Sequence, residues 1–163
     1  VVRLVGSEMC IRDSFISALH PDDQSIWIGE SAGGGLATGL VVDKDYFEKP
    51  DNLILLSPWL DLSDGFEDKK FFKNSDVTII IEGMFEVGEY YAGDYGAKNP
   101  ILSPVYADVD DFPDVLIQVC TEELLYNDAV EFVKKLEDKN VNVELQTWDG
   151  LWHAWQFLSL IHI

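Results

Sequence analysis

Cysteine and basic residues are scarce in this sequence, and long apolar runs are missing. Cys10 and Cys120 are the 2 cysteines among 163 residues, too few for the stapled framework of a small secreted domain. Cys120 lies in an apolar run, and both read as ordinary reduced thiols. Lysine and arginine together number 11 against 30 aspartates and glutamates, a formal net charge of −19. Such acidity repels phosphate backbones and anionic lipid, so nucleic acid is not an expected partner. The charges are scattered among apolar positions rather than gathered in a tail, which reads as solvated surface. No apolar run approaches the roughly 18 residues of a membrane span, and the start lacks the charged-then-apolar layout of a secretory signal. A cytoplasmic protein with no membrane partner is expected. No internal repeat or low-complexity tract is visible. What is present is a normal globular share of apolar residues, 47%, enough for the core of one domain.

The two ends do not fit the pattern between them. Residues 1–14 and 159–163 resemble translated sequencing-adapter read-through, so the expected domain covers 15–158 with non-native ends on either side. Cys10 and His162 carry no information under that reading.

Between the ends, strand and helix signals alternate. Ser25-Ile-Trp-Ile-Gly29 is a short apolar run ending in glycine, and Ala32–Val42 follows with small residues and helix-like apolar content: strand, sharp turn, helix. Asn52–Ser57, stopped by Pro58, reads as a strand buried on both faces, and Val115–Cys120 repeats the pattern. Val141–Trp148 alternates apolar and polar residues, the mark of a half-exposed strand near a sheet edge. Pairing with a second copy through this last strand is a corollary expectation. Asp128–Glu137 reads as a crossover helix with Ala129, Val133 and Leu136 on one face and Asp128 with Glu131 as a capping pair. Such alternation predicts an α/β fold of about four mainly parallel strands flanked by helices. The stretch from about Asp61 to Asp111 breaks the rhythm with a helix near Glu82–Tyr91, and reads as an insertion over the C-terminal edge of the sheet.

Gly29-Glu-Ser31-Ala-Gly33 matches G-x-S-x-G, the strand-to-helix turn that lifts a serine hydroxyl above a sheet. A hydroxyl is a poor nucleophile until a base removes its proton, so a histidine oriented by a carboxylate is required elsewhere. Of the 3 histidines, His162 belongs to the excluded end and His20 precedes Pro21-Asp-Asp in a solvated loop. His153, just beyond the last strand, stands where the order serine, acid, histidine places the base. The acid belongs after Val115–Cys120, where Glu122 and Glu123 compete and spacing does not choose. The loser is a helix-entry charge. Asp61 reads as a loop anchor, and Phe71, Phe72, Phe85, Tyr90 and Tyr91 as packing residues with no site role.

Gly29-Glu-Ser-Ala-Gly-Gly-Gly-Leu-Ala37, Leu56-Ser-Pro-Trp-Leu-Asp-Leu-Ser63, Ser103-Pro-Val-Tyr-Ala-Asp108, Leu116-Ile-Gln-Val119 and Trp148-Asp-Gly-Leu-Trp-His153 together resemble the hormone-sensitive-lipase-like esterases of the α/β-hydrolase fold. The resemblance spans about 20–157. It favours Glu123 as the acid, because Leu125, Asn127 and Asp128 then fall on the family pattern. It implies a carboxylic-ester hydrolase working through an acyl-enzyme, with Ser31, His153 and Glu123 as its triad, the Ala32 N–H as an oxyanion donor, a small uncharged ester as substrate, and no metal or cofactor. Glu30 and Glu123 stand where the family usually has aspartate. The family's His-Gly-Gly loop, source of most oxyanion amides, and the N-terminal half of its sheet have no counterpart, so this polypeptide alone is expected to be nearly inactive. A serine peptidase on the same fold shares the triad. A non-catalytic small-molecule receptor is the rival of another class, and retention of His153 speaks against it.

Overall fold

A computed structural model describes residues 25–43, 49–63 and 76–159. The expected ends 1–14 and 159–163, save Ser159, lie outside the described residues, as do His20, Phe71 and Phe72.

Among the described residues four strands form one sheet in the order β1 (Ile26–Glu30), β2 (Asn52–Leu56), β3 (Asp114–Cys120) and β4 (Val143–Trp148), all parallel. Chain order and spatial order coincide, so every connection steps to the adjacent strand. The helices of the described residues are α1 (Ala32–Val42), α2 (Ile81–Ala92), α3 (Tyr126–Asp138) and α4 (Trp155–Ser159), with 3₁₀ turns at Gly93–Tyr95 and Pro104–Tyr106. The register places Trp27 beside Leu53, Leu53 beside Val115, and Val115 beside Val143, a row that continues one apolar face across the sheet. Leu53, Leu55, Ile117 and Val119 are fully buried there with Phe132 and Leu136 of α3. Ile54 and Leu56 point to the other face and are only half-buried, so β2 is enclosed less evenly than its unbroken apolar run predicts. β4 lies at an edge, and its residues are half-buried or exposed, as its alternation implies.

α3 starts differently from expectation. Its N-cap is Leu125, with no side-chain cap, and Asp128 is a buried residue of the first turn. The Asp128–Glu131 capping pair is therefore not formed, because the turn after β3 enters the helix two residues before Asp128. On the last turns, Lys135 Nζ donates to the carbonyls of Val105 (2.6 Å) and Ala107 (2.7 Å), pinning the Pro104–Tyr106 turn to α3. Burial lowers the pKa of that lysine from its usual value.

α1 tolerates four glycines because two of them let other backbone approach. A Cβ on Gly35 would lie 2.3 Å from the Trp59 carbonyl oxygen, and one on Gly39 would lie 2.2 Å from that of Ile101. Both contacts are with backbone, which yields little. Gly39→Ala is expected to cost about 1–3 kcal/mol, by overpacking that outweighs alanine's better helix propensity. Gly33→Ala, where an added Cβ meets nothing within 4 Å, should be neutral or slightly stabilising. Denaturant midpoints of the two variants check the contrast.

Described residues between β2 and β3 pack on one another and on the turn after β3. Gly88 of α2 packs on Trp59, and Asp76 Oδ2 accepts the Leu124 N–H at 3.1 Å, just past the end of β3. Asp61 anchors its own loop, accepting from the Ser63 N–H and hydroxyl at 2.8 Å each and from the Tyr106 hydroxyl at 3.1 Å. No helix among the described residues is long and apolar enough to cross a membrane.

Candidate active site

Ser31 sits between β1 and α1 with φ 52° and ψ −121°, a conformation that costs a non-glycine residue about 1–3 kcal/mol. Its surroundings over-determine it. The Ser31 N–H donates to the Leu56 carbonyl at 2.9 Å, and its own carbonyl accepts from the N–H groups of Gly34, Gly35 and Trp59. The steric demand for glycine in the motif falls unevenly. A Cβ on Gly29 would lie 2.5 Å from the Gly33 carbonyl oxygen, and one on Gly34 would lie 2.8 Å from Pro58 Cβ, whereas Gly33 has open space. The strained turn projects the hydroxyl beyond the C-terminal end of β1, the side of a parallel sheet on which ligands ordinarily bind. The Ala32 N–H opens α1 and has no intrahelical partner.

His153 follows β4 in a loop held to the end of β3 by several bonds. The Thr121 N–H donates to the Trp148 carbonyl (2.9 Å), the Thr121 hydroxyl to Asp149 (2.7 Å), and the Cys120 thiol to the Leu151 carbonyl (2.9 Å). Burial pushes that thiol's pKa up. Trp148 and Trp155 close the loop from either side, their rings 4.9 Å apart. The result places His153 Nε2 2.8 Å from Ser31 Oγ, across 122 residues of sequence. The histidine is buried, at 8% exposure.

Glu123 is fully buried at the turn after β3. Its Oε2 accepts the Ser57 hydroxyl at 2.9 Å and the Cys120 N–H at 3.4 Å. Its Oε1 lies 3.8 Å from His153 Nδ1. Neither of these two atoms has a hydrogen-bond partner among the described residues, so a buried acceptor and a buried ring nitrogen face each other with only each other to satisfy. Glu122, by contrast, is exposed. The three residues of the expected serine, acid and histidine set are thus brought together, and the competing glutamate is not among them.

Three features escaped the sequence reading. Glu30, noted there only as standing in the place of a family aspartate, brings Oε1 to 3.7 Å from His153 Nε2. Asp76 ties the start of α2 to the turn bearing Glu123. Ser57 holds the inner oxygen of Glu123. The available signal was positional: Glu30, Ser57 and Glu123 all stand at the C-terminal ends of adjacent parallel strands. Among the described residues no group of three or more His, Cys, Asp or Glu side chains is arranged to hold a metal ion.

Comparison with known proteins agrees with this architecture. A family model for the alpha/beta hydrolase fold matches residues 13–157. An esterase of Acinetobacter venetianus is 31% identical over 147 residues, covering 88% of this chain and 48% of the esterase. An acetyl-hydrolase of Streptomyces hygroscopicus is 28% identical over 131 residues, covering 79% of this chain and 44% of that protein. The crystal structure of an esterase from the bacterial hormone-sensitive lipase family superposes with a TM-score of 0.80 at 31% identity, covering 87% of this chain and 49% of the other. The chain therefore spans about half the length of the relatives it matches. Its sheet order, strand-to-helix serine turn and matched span make it a member of the α/β-hydrolase fold family, of the hormone-sensitive-lipase-like kind.

Proposed function

We propose that this chain carries the catalytic triad of a carboxylic-ester hydrolase, with Ser31 as nucleophile, His153 as general base and Glu123 as the orienting acid. The observation that carries the reading is the 2.8 Å contact between His153 Nε2 and Ser31 Oγ, with a fully buried carboxylate facing the far nitrogen. In the first step Ser31 Oγ attacks the acyl carbon as its proton passes to Nε2, and the imidazolium then gives that proton to the departing alkoxide. In the second, water attacks the acyl-serine by the same relay and the free acid leaves. Glu123 keeps Nδ1 protonated, so that Nε2 presents a lone pair to the serine. The Ala32 N–H, at the positive end of α1, is a donor for the tetrahedral oxyanion.

The esterase and acetyl-hydrolase relatives favour an ester as substrate, and the family resemblance a small uncharged one. The charge of −19 disfavours nucleic acid as a partner. The edge position of β4 favours association with a second copy there, and a cytoplasmic location is kept with the low cysteine count as its support. The 163 residues contain no His-Gly-Gly tripeptide, the loop to which the resemblance assigns the other oxyanion donors. Since one donor is worth about 10²–10³ in turnover, steady hydrolysis by this polypeptide should fall at least ~10²-fold below that of the Acinetobacter esterase.

Acylation is the more direct test, because it requires only the triad and one turnover. Incubation with p-nitrophenyl acetate is expected to release nitrophenolate with slow appearance of an acetyl group on Ser31, located by peptide mass spectrometry. The matching p-nitroanilide should give neither. Acetylation spread over surface lysines, with none at Ser31, would remove the proposal.

A further inference from the structure

Ser57 is the residue whose geometry the proposed reaction leaves unexplained. It follows β2 directly, is fully buried, and has a φ of 46°, in the left-handed region where a residue with a side chain is strained. Proline follows it at position 58, and the residue before a proline ordinarily adopts an extended conformation. The sequence thus places a side-chain-bearing residue where glycine would be less strained, and the structure shows what the side chain does there. The Ser57 N–H donates to the Gln118 carbonyl at 2.7 Å, which fixes the bend, and the bend aims Oγ at Glu123 Oε2, 2.9 Å away. With the Cys120 N–H at 3.4 Å on the same oxygen, Oε2 is occupied from two sides. Among the described residues Oε1 has no hydrogen-bond partner, and Nδ1 of His153 faces it 3.8 Å away.

Resting on the triad reading above, we propose that Ser57 is a positioning residue that turns the Glu123 carboxylate so that one oxygen serves only His153, and that its backbone strain is retained for this hydroxyl. A carboxylate on a flexible side chain can rotate about its last bond and exchange its two oxygens. The Ser57 hydroxyl removes that freedom and gives the buried negative charge a donor, as buried charges require. Ser57 touches no reacting atom. It acts through Glu123, and through it on which ring nitrogen of His153 holds the proton.

The test separates hydroxyl from backbone. Ser57→Ala and Ser57→Gly both remove the donor, but only glycine relieves the positive φ, so the glycine variant should have the higher melting temperature of the two. Modification of Ser31 by a fluorophosphonate should slow in both variants alike, by roughly 10- to 100-fold in the maximal inactivation rate, as expected for loss of a charge-assisted hydrogen bond. The concentration giving half that rate should not move. When Glu123 is already glutamine, whose amide cannot hold His153 in the reactive tautomer, adding Ser57→Gly should slow the rate no further, by less than about threefold. Modification of Ser57→Gly at the wild-type rate would overturn the proposal and leave the triad standing. Equal slowing by Ser57→Gly with Glu123 intact or replaced would overturn it too, as the mark of a general structural role. Failure of the wild-type chain to react at Ser31 would instead remove the triad reading itself.

Discussion

Replacement of Ser31 by alanine is expected to abolish acyl transfer and to leave the fold in place. Oγ is the only atom lost, and where a triad operates, loss of the nucleophile lowers kcat on the order of 10⁶-fold. The variant should therefore release nitrophenolate from p-nitrophenyl acetate no faster than buffer and should carry no acyl group at position 31. Stability gives the same substitution a second reading. Alanine shares serine's strain at φ 52°, so the denaturation midpoint should hardly change. Ser31→Gly should be equally inactive and more stable by about 1–2 kcal/mol, because glycine adopts this conformation with little strain and part of the gain offsets its greater loss of chain entropy. A protein that becomes more stable when its reactive residue is removed is holding that residue under strain for a purpose. An unchanged midpoint for Ser31→Gly would mean that the bend between β1 and α1 is relaxed, and the case for a strained nucleophile would lapse.

Glu123→Gln is expected to have the next largest effect, and its origin is a tautomer rather than a missing shape. The amide is nearly isosteric with the carboxylate, and its oxygen can still accept the Ser57 hydroxyl in the position Oε2 now holds. Its NH₂ group then faces His153 Nδ1 and donates to it. A ring nitrogen that accepts a hydrogen bond cannot carry the proton, so the proton moves to Nε2, where it blocks transfer from Ser31. Acylation should fall by roughly 10⁴-fold, as it does when the acid of a serine triad is amidated. Glu122→Gln changes a side chain on the surface and should alter the rate by no more than about twofold. Stopped assays on the pair decide the matter. Comparable losses in both would mean that the carboxylates act through net charge and that Glu123 has no special place.

Much of this arrangement was legible in the residues themselves. The α1 helix runs Ala32–Val42 as its small-residue pattern foretold, and the apolar runs became the central strands within a residue or two at their ends. Local periodicity suffices for those because each strand or helix satisfies its own pattern of burial. The meeting of Ser31, Glu123 and His153 was legible for a related reason: the C-terminal ends of successive parallel strands form one rim, where residues far apart in sequence come together. Local rules failed where tertiary contact decided. Asp128 looks like a cap, yet the backbone had already turned helical at Tyr126. Glu122 and Glu123 are chemically alike and adjacent, and only the packing of the turn against Ser57 and Asp76 separates an exposed carboxylate from a buried one. Ser57 itself was hidden because its importance lies in a positive φ and in a partner 66 residues away, neither of which composition or spacing encodes.

The proposed chemistry depends most on the imidazole at 153 acting as base for the hydroxyl at 31. The measurement that reaches it directly is the rate at which a fluorophosphonate modifies Ser31 in the native chain and in His153→Ala, with the adduct located by peptide mass spectrometry. We expect a single adduct on Ser31 in the native chain, and a rate roughly 10²–10⁴-fold lower without the imidazole, the usual contribution of a general base. Equal rates in the two proteins, or an adduct on some other residue, would contradict it.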